Sequence, residues 1–518
     1  MLRPTGLSST WNVCFRTTAP GFMRRPRRPA RLPVHVLFGM IQLRHSSGSI
    51  TMIEAENVIH SEPGRFWLVS EDGVADENKS AHGRLTVRSD GQTRIEITDD
   101  NTWDIAPTDM NAGQNLRIGG YLYRLGQSVL IANAHFTKPG HLGAYETVLT
   151  PEELAFRTKH DDCIKNLTIQ LGVAWAWRGL ELPDAQYNEN HLEIKYPSAK
   201  DIQYKLPIGT VTISVNYNLA MDLGSRSARV KPRSEIRIEF EKPISLEKAR
   251  RIYTDIEDLL VLMTNQELGL EWPEVTIVDA DQFGTLYASR LRPIGGEVSF
   301  ITCWVTFPDI AQNFGAIFET WLTMKERYGA AFHLYLGTRR GRDLYVEHRF
   351  INLIWGLEAL HEKHWPPRAP KKNKEAKIQD ILSAIDRLAN SGERKAIERA
   401  LRPGPTLEQR LRDLFTILPA DFTRDQLTAF AKKCADRRNA ISHEGGPREG
   451  ETYSDFIREV HELACALDPI YHYIILSVIG VPTGVLEALF RTPHKTFRDN
   501  FYLKRVGLVC DVRFGSGR

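Results

Sequence analysis

The spacing of the apolar residues changes part of the way along this 518-residue chain, and that change restricts the folds open to it. From about residue 64 to residue 240, apolar and polar residues alternate, which is typical of half-buried strands. From Ser245 the period lengthens to that of a helix, and beyond Asp343 almost every segment keeps it. The pattern predicts an α+β chain, in which a strand-rich domain precedes an all-helical bundle.

The strand-rich part carries a hairpin signal. Residues 83–87 and 93–97 both alternate, and they flank the turn-forming residues Ser89, Asp90 and Gly91. Further strands are expected at residues 122–132, 167–171, 211–217 and 235–240. Turns rich in Gly, Asp and Asn separate them, so we predict an antiparallel sheet, a sandwich or a partial barrel.

The later part is predicted to be helical, with one interruption. A helix follows Ser245, a strand pair is expected at residues 271–278 and 298–305, and a further helix covers residues 314–322. Five apolar stripes at helical spacing then occupy residues 346–360, 378–385, 407–415, 427–434 and 456–467. Pro469 is expected to kink or break the last helix. These stripes describe antiparallel helices in a bundle. We place the domain boundary between residues 335 and 336, so that 52–335 is the strand-rich domain and 336–518 the helical one.

The first 51 residues differ from the rest of the chain. No Asp or Glu occurs before Ile53, and arginines interleaved with prolines are dense between residues 24 and 31. An organellar transit peptide is Arg-rich and acid-poor, but these prolines weaken the amphipathic helix that it needs. A basic arm that binds nucleic acid is a second interpretation. The third, which we favour, is translation of upstream non-coding sequence with the true start at Met52, because folded-type sequence begins abruptly at Ile53.

Composition argues against several classes of protein. The net charge of +3 is close to neutral, so any surface that binds nucleic acid must be local. The six cysteines form no CxxC pair and no Cys/His cluster at zinc spacing, which argues against a structural zinc site and a disulfide framework. The longest apolar run, residues 470–481, is too short to span a bilayer. We expect a cytoplasmic protein with no cofactor, no metal and no membrane partner.

The motif that carries chemistry lies near the end of the fourth of the five C-terminal stripes. Arg438 precedes His443 by five residues, and Asn439 follows the arginine directly. Asn439 and His443 are four residues apart and therefore share a helix face, and the long side chain of Arg438 can reach the same pocket. Gly445 and Gly446 then signal the end of the helix, which puts His443 in the last turn.

These residue types suit RNA cleavage without a metal ion. The RNA strand supplies its own nucleophile, the 2′-hydroxyl, which attacks the adjacent phosphate. The protein then has to move protons and stabilise negative charge around phosphorus. His443 can transfer protons, Arg438 can neutralise the charge with its fork of donors, and Asn439 can orient either the imidazole or the phosphate.

The spacing alone has low specificity. With 16 histidines in the chain, about one arginine in ten is followed by a histidine at one of three allowed spacings by chance. Arg342 and His348 form one such chance pair. A surface arginine and a helix-ending histidine explain the motif without any function, so the surrounding sequence has to decide between the two interpretations.

The surrounding sequence resembles the HEPN ribonuclease superfamily, which is recognised by an Arg, four to six further residues and then a His. Residues 350–361 look like the first helix of the ApeA-like branch, and Glu358 matches the acidic position that this branch directs towards its active site. The strand-rich region also looks like the ApeA N-terminal domain, notably at residues 83–85 and 156–177. The resemblance covers most of residues 60–480.

The resemblance implies a bacterial anti-phage defence protein, with a sensing N-terminal domain and a HEPN RNase domain as its helical bundle. It further implies a homodimer in which both Arg/His pairs meet at one cleft. RNA is then the substrate, with tRNA among the candidates, and cleavage needs no metal. A phage-derived trigger protein is an expected partner. Arg438, Asn439, His443 and Glu358 are the catalytic residues on this interpretation.

Two smaller features have a plain interpretation beside the functional one. Lys371 and Lys372, together with Arg437, are candidates for contacting RNA phosphates, although a basic run is more often a solvated surface. An acidic residue on a bundle helix is likewise more often solvated, so a role for Glu358 depends on the family match. The alternative function is a HEPN-type bundle that binds RNA or protein and cleaves nothing.

Overall fold

The computed structural model of the protein describes residues 58–508, apart from a series of gaps. The gaps are residues 70–79, 99–115, 125, 139–140, 145, 151–161, 180–183, 189–190, 196–199, 223–226, 279–282, 291–293, 297, 300, 341–343, 366–371, 386–389, 402–404, 419–421 and 492–499. The acid-free leader, residues 1–51, therefore lies outside the described residues, and its three interpretations stay as they are.

The N-terminal part is built from antiparallel strands. The strands are β1 (Val58–Leu68), β2 (Ala81–Arg88), β3 (Thr93–Ile97), β4 (Leu116–Leu122), β5 (Gln127–Lys138), β6 (His141–Ala144), β7 (Glu146–Thr150), β8 (Asp162–Gln170), β9 (Asp184–Asn188), β10 (His191–Lys195), β11 (Ile202–Leu206), β12 (Gly209–Asp222), β13 (Ser227–Ser245), β14 (Glu274–Ile277) and β15 (Phe283–Ala288). β9 and β10 form a separate hairpin, and the others belong to one sheet. The predicted hairpin is confirmed, because β2 and β3 pair from Gly83↔Ile97 to Val87↔Thr93.

Six strands of this sheet close into a small barrel. β5, β4, β1, β2, β3 and β6 are neighbours in that order, and β6 pairs back onto β5. Buried apolar side chains fill the barrel, among them Phe66, Leu85, Ile95, Ile118, Ile131 and Leu142. Closure pairs the strands that would otherwise be exposed at the sheet edge.

The rest of the sheet is open and continues from the barrel as β7, β15, β14, β8, β13, β12 and β11. The strand predicted at residues 298–305 is wrong. The described residues there form turns, in which the amide of Cys303 donates to the carbonyl of Ser299, and β14 pairs with β15 instead. The apolar run reflects burial of Trp304 and Val305 in a loop, because an apolar run signals burial without specifying strand pairing.

Helices make up most of the chain after the sheet. They are α1 (Trp175–Arg178), α2 (Leu246–Thr264), α3 (Phe307–Ile310), α4 (Phe314–Tyr328), α5 (Ala330–Arg340), α6 (Val346–His364), α7 (Lys372–Ile385), α8 (Ser391–Leu401), α9 (Leu407–Phe415), α10 (Arg424–Glu444), α11 (Tyr453–Val478) and α12 (Thr483–Arg491). The predicted stripes correspond to α6, α7, α9, α10 and α11, and α11 continues through Pro469. None of the described helices is long and apolar enough to cross a bilayer.

The α+β fold class is confirmed, and one hydrophobic core joins its two parts. Buried residues form a continuous cluster from the open sheet through α2, α4 and α5 into α6 and α11. The predicted boundary between residues 335 and 336 falls inside α5. The helical bundle therefore packs directly on the helices that cover the sheet.

Candidate active site

Helix α10 presents the motif, and both of its ends are defined by local interactions. At the start, the amide of Gln426 donates to the Thr423 hydroxyl, and the amide of Thr423 donates to the Gln426 side chain. At the end, Gly445 has a φ of 75°, a left-handed conformation that glycine adopts without strain. The predicted helix end is confirmed, so Arg438 and His443 lie in the last two turns.

The structure brings three of the predicted catalytic residues together where α6 and α10 meet. The Nη2 atom of Arg438 lies 3.5 Å from Oε2 of Glu358, and its Nη1 donates to Oδ1 of Asn439 at 3.4 Å. Glu358 comes from α6, and the other two come from α10. We call the line along which these two helices face each other the α6–α10 seam.

The guanidinium of Arg438 keeps unused hydrogen-bond donors. Its Nε atom is shielded from solvent and meets no acceptor among the described residues. Its distance to Glu358 also exceeds the separation of about 2.7–2.9 Å in a charge-assisted hydrogen bond. The side chains of Arg438 and Glu358 remain 25% and 22% exposed. An anion that approaches from solvent can therefore engage the Nη donors, whereas the shielded Nε is out of its reach.

His443 is exposed in the last turn of α10, and no described contact joins it to Arg438 or Glu358. It lies one helical turn, about 6 Å along the axis, beyond Asn439, and its ring makes no hydrogen bond to a described residue. An exposed imidazole can exchange protons with substrate or solvent. Within the described ranges, no three His, Cys, Asp or Glu side chains are arranged to hold a metal ion.

Arg437, predicted to contact RNA, has its side chain inside the fold. It is only 4% exposed, and it donates through Nη1 and Nη2 to the two carboxylate oxygens of Glu451 at 2.8 and 2.9 Å. It also pairs with Glu459 and lies over the ring of Phe456. The hydrogen bonds from Arg437 lower the pKa of Glu451. In this arrangement Arg437 ties the end of α10 to the loop before α11 and to α11 itself, and it is not presented to a phosphate.

The two lysines predicted to bind RNA are not brought to the seam by any described contact. Lys371 lies outside the described residues, and so does Arg342 of the chance pair. Lys372 is the first residue of α7, and its side chain also lies outside the described part. Binding of RNA by these lysines stays a prediction.

An open cleft of about 640 Å³ lies along the seam. Ile441 and Ser442 of α10 line one side of it. Leu344 and five residues of α6 line the other: Glu347, His348 of the chance pair, Ile351, Asn352 and Trp355. Sequence reasoning missed this cleft, although a signal was present in Trp355. That residue is two positions from both Leu353 and Leu357, which puts it about 200° around the helix from the apolar stripe.

Two polar contacts position α6. Within the bundle, His361 is buried and its Nε2 lies 3.2 Å from Oδ2 of Asp413 on α9. Nearer the start of α6, Arg349 donates to Oδ2 of Asp468 on α11 at 2.8 Å, and Arg339 of α5 lies 3.3 Å from Oδ1. Burial opposes ionisation of Asp468, but the two arginines outweigh it and hold its pKa below the ordinary value.

His472 extends this network to the sheet-covering helices. Its Nε2 donates to the carbonyl of Leu262 in α2 at 2.7 Å, so Nδ1 accepts from Arg339 at 3.2 Å. Its ring stacks on Trp304 at 4.4 Å between centroids. These contacts require the neutral imidazole, and burial together with the charge of Arg339 lowers the pKa of His472 to about 3. The helix that carries Glu358 is thus connected through α11 to α2.

Comparison with known families agrees with this arrangement of domains. The model of ApeA N-terminal domain 1 matches residues 62–321, and the model of the Apea-like HEPN domain matches residues 351–485. No protein of curated function and no solved structure matches the chain. The two matches confirm the resemblance drawn from the sequence, and they cover most of the described residues.

Proposed function

The chain belongs to the ApeA family, whose members carry an ApeA-like HEPN domain, and we propose that it is a metal-independent endoribonuclease of anti-phage defence. HEPN domains are commonly ribonuclease-related, which supports a nuclease-type function for the helical bundle. The observation that carries the proposal is the meeting of Glu358, Arg438 and Asn439, one helical turn before the exposed His443. A module that only binds RNA or protein does not need a carboxylate, a guanidinium and an imidazole in this arrangement.

The proposed reaction uses the RNA's own nucleophile. The 2′-oxygen attacks phosphorus, the bond from phosphorus to the 5′-oxygen breaks, and the products carry a 2′,3′-cyclic phosphate and a 5′-hydroxyl. One proton leaves the 2′-hydroxyl and one reaches the departing 5′-oxygen, and His443 is the group we assign to proton transfer. Arg438 stabilises the charge that develops on the phosphate oxygens.

Glu358 and Asn439 have positioning roles in this proposal. Glu358 holds one side of the Arg438 guanidinium from 3.5 Å, and Asn439 holds Nη1 from 3.4 Å. Together they fix the orientation of the planar Arg438 guanidinium. This orientation affects phosphate binding, because a guanidinium binds phosphate through paired donors of fixed geometry. Glu358→Gln should therefore weaken catalysis less than loss of Arg438.

We also propose that the protein acts as a homodimer, because a single Arg/His pair is a sparse active site. A cluster of exposed side chains supports a second copy docking near the start of α6. Tyr345 and Tyr453 are 75% and 62% exposed, and the hydroxyl of Tyr453 donates to Glu347 at 3.0 Å. Leu344 and Glu347 also line the cleft on the seam, so a second copy docked here would lie at the edge of that cleft. Light scattering at the assay concentration should report a dimer, and an active, strictly monomeric species would contradict it.

The decisive experiment is cleavage of total RNA in EDTA. Wild-type protein should cut, His443→Ala and Arg438→Ala should each lose roughly two orders of magnitude in rate or more, and the exposed control Lys432→Ala should cut normally. End analysis should find cyclic phosphates, and a 2′-deoxy residue at the cut site should block the reaction. Cleavage that needs magnesium, leaves 5′-phosphates or survives His443→Ala would refute the mechanism. Binding of RNA without any cutting would favour the alternative, a non-catalytic module.

The biological setting is part of the same proposal. We propose RNA of the bacterial cytoplasm as substrate, with tRNA among the candidates, and a phage-derived protein as the trigger sensed by the N-terminal domain. Mapping of the cut RNAs after phage infection identifies the substrate. Expression of single phage proteins together with the wild-type chain and with His443→Ala identifies the trigger, because only the active chain should then arrest growth.

A further inference from the structure

We propose that the cleft on the α6–α10 seam holds a nucleobase of the RNA strand, stacked on Trp355, next to the phosphate that Arg438 engages. The inference rests on the proposed function and assigns a substrate subsite to the same seam. It identifies Trp355, which lies outside the Arg438–His443 motif, as a residue that binds substrate.

Trp355 has the exposure and position that such a role requires. Its side chain is 47% exposed although most large apolar residues of α6 are fully buried. It packs on no other aromatic ring among the described residues, and it lines the cleft, so the exposed part of the indole is accessible to a ligand there. A single exposed apolar residue is ordinary on a protein surface. An exposed tryptophan that lines a cleft and lies three residues before Glu358, the partner of Arg438, is a more specific observation.

Polar groups beside Trp355 suit the edge of a base. Asn352 lies one turn before it on α6, and Ser442 lies across the cleft on α10. Neither side chain forms a hydrogen bond with a described residue. An amide offers both a donor and an acceptor, and a hydroxyl offers the same, which is what the edge of an unpaired base needs. RNA-binding proteins commonly combine aromatic stacking with such edge contacts.

The register of the two helices joins the cleft to the phosphate site. Asn352, Trp355 and Glu358 follow one another at intervals of three residues and form one row along α6. Trp355 and Glu358 are separated by a rise of about 4.5 Å along α6. Because α10 presents Arg438 opposite Glu358 and Ser442 at the cleft, the two helices run in opposite directions here. A strand whose phosphate meets Arg438 therefore carries a neighbouring base to Trp355.

Fluorescence in the uncleaving protein tests this stacking directly. Oligoribonucleotides that contain the mapped cut site, with 2-aminopurine at one position at a time, are titrated with full-length His443→Ala protein. We expect quenching at one position next to the cut, loss of that quenching in the His443→Ala/Trp355→Ala protein, and its partial retention in the His443→Ala/Trp355→Phe protein. Affinity should fall about tenfold on loss of the tryptophan, within the range for one base–aromatic stack.

A matched control and an abasic substrate separate stacking from general damage. Trp175 of α1 is 50% exposed, so Trp175→Ala removes an equally exposed indole elsewhere and should leave affinity and quenching unchanged. With an abasic residue at the quenched position, the proteins with and without the Trp355→Ala change should bind equally. Three outcomes would overturn the inference: unchanged affinity in the Trp355→Ala protein, an equal loss of affinity by that protein on the abasic strand, or a change in its oligomeric state. If the wild-type protein still cleaves RNA, the proposed function stands in each case. A wild-type protein that neither binds nor cuts RNA overturns both.

Discussion

Arg437 and Arg438 are neighbours in the chain, but their substitution by alanine should affect different properties. Arg437→Ala should lower stability, and Arg438→Ala should lower activity. Arg437 is the buried partner of Glu451 and Glu459. Removing one partner of a buried pair costs about 3–5 kcal/mol. The two glutamates keep 19% and 26% of their side chains exposed, so water recovers part of that cost, and we expect a destabilisation of about 2–3 kcal/mol.

Arg438→Ala should leave stability almost unchanged and abolish most of the activity. The pair of Arg438 with Glu358 is partly exposed and 3.5 Å long, and such pairs contribute less than about 1 kcal/mol. The loss of a charge stabiliser, in contrast, lowers a rate by roughly two to three orders of magnitude.

Two measurements on the same full-length preparations separate these effects. Unfolding in urea, followed by circular dichroism, should give a lower midpoint for Arg437→Ala only. Single-turnover cleavage of a labelled RNA, at a temperature where both variants are folded, should show a large rate loss for Arg438→Ala only. Lys432→Ala, an exposed change on the same helix, should match wild type in both. A wild-type midpoint for Arg437→Ala, or near-normal cleavage by Arg438→Ala, would refute the assignment of structural and catalytic roles.

Three further changes test other parts of the molecule. His472 stays neutral in the fold but gains a proton in the unfolded chain below pH 6.5, so this residue should lower the free energy of unfolding by about 2 kcal/mol as the pH drops from 7 to 5. The urea midpoints at pH 7 and pH 5 should therefore differ less in His472→Gln than in wild type. An equal difference in the two proteins would contradict the buried neutral ring. Asp468→Asn leaves Arg339 and Arg349 without their carboxylate and should cost about 3 kcal/mol in the free energy of unfolding; a wild-type urea midpoint would exclude that network as a stabilising element. Tyr345→Glu should give a folded monomer with little cleavage activity, which light scattering and the RNA assay check together; a dimer that persists would move the interface elsewhere.

Periodicity predicted the parts of the fold in which each element buries one regular face. The β2–β3 hairpin, α2 and the five stripes of the bundle all have such a face. A partial barrel was one of the three arrangements that the strand pattern allowed. The pattern could not choose among them, because closure depends on the pairing of β6 with β5, and strand periodicity does not identify pairing partners. The error at residues 298–305 has a related cause, since buried loops and buried strands share the same apolar composition.

The candidate site was predicted in its residue types but not in their orientation. Neighbouring residues point about 100° apart on a helix, so the spacing of the motif could not show that Arg437 turns inward while Arg438 faces α6. The role of Glu358 could not be predicted from local sequence, because it depends on a contact between two helices that are far apart in the chain. The sequence shows only that Trp355 is an aromatic residue outside the apolar stripe of its helix. That position indicates a binding cleft only when the packing of α10 is known, because α10 forms the other side of the cleft.

The shared core has a consequence for recombination between proteins of this kind. His472 in α11 takes its acceptor from Leu262 in α2 and its stacking partner from Trp304, both upstream of the bundle. A crossover placed before α6 would transfer the bundle helices without these partners, and it would expose to water the imidazole and the apolar helix surface that they now cover. A junction upstream of α2 would in turn separate β14 and β15 from β8 and β7, the strands with which they pair, so the sheet, α2 and the bundle are expected to be inherited together.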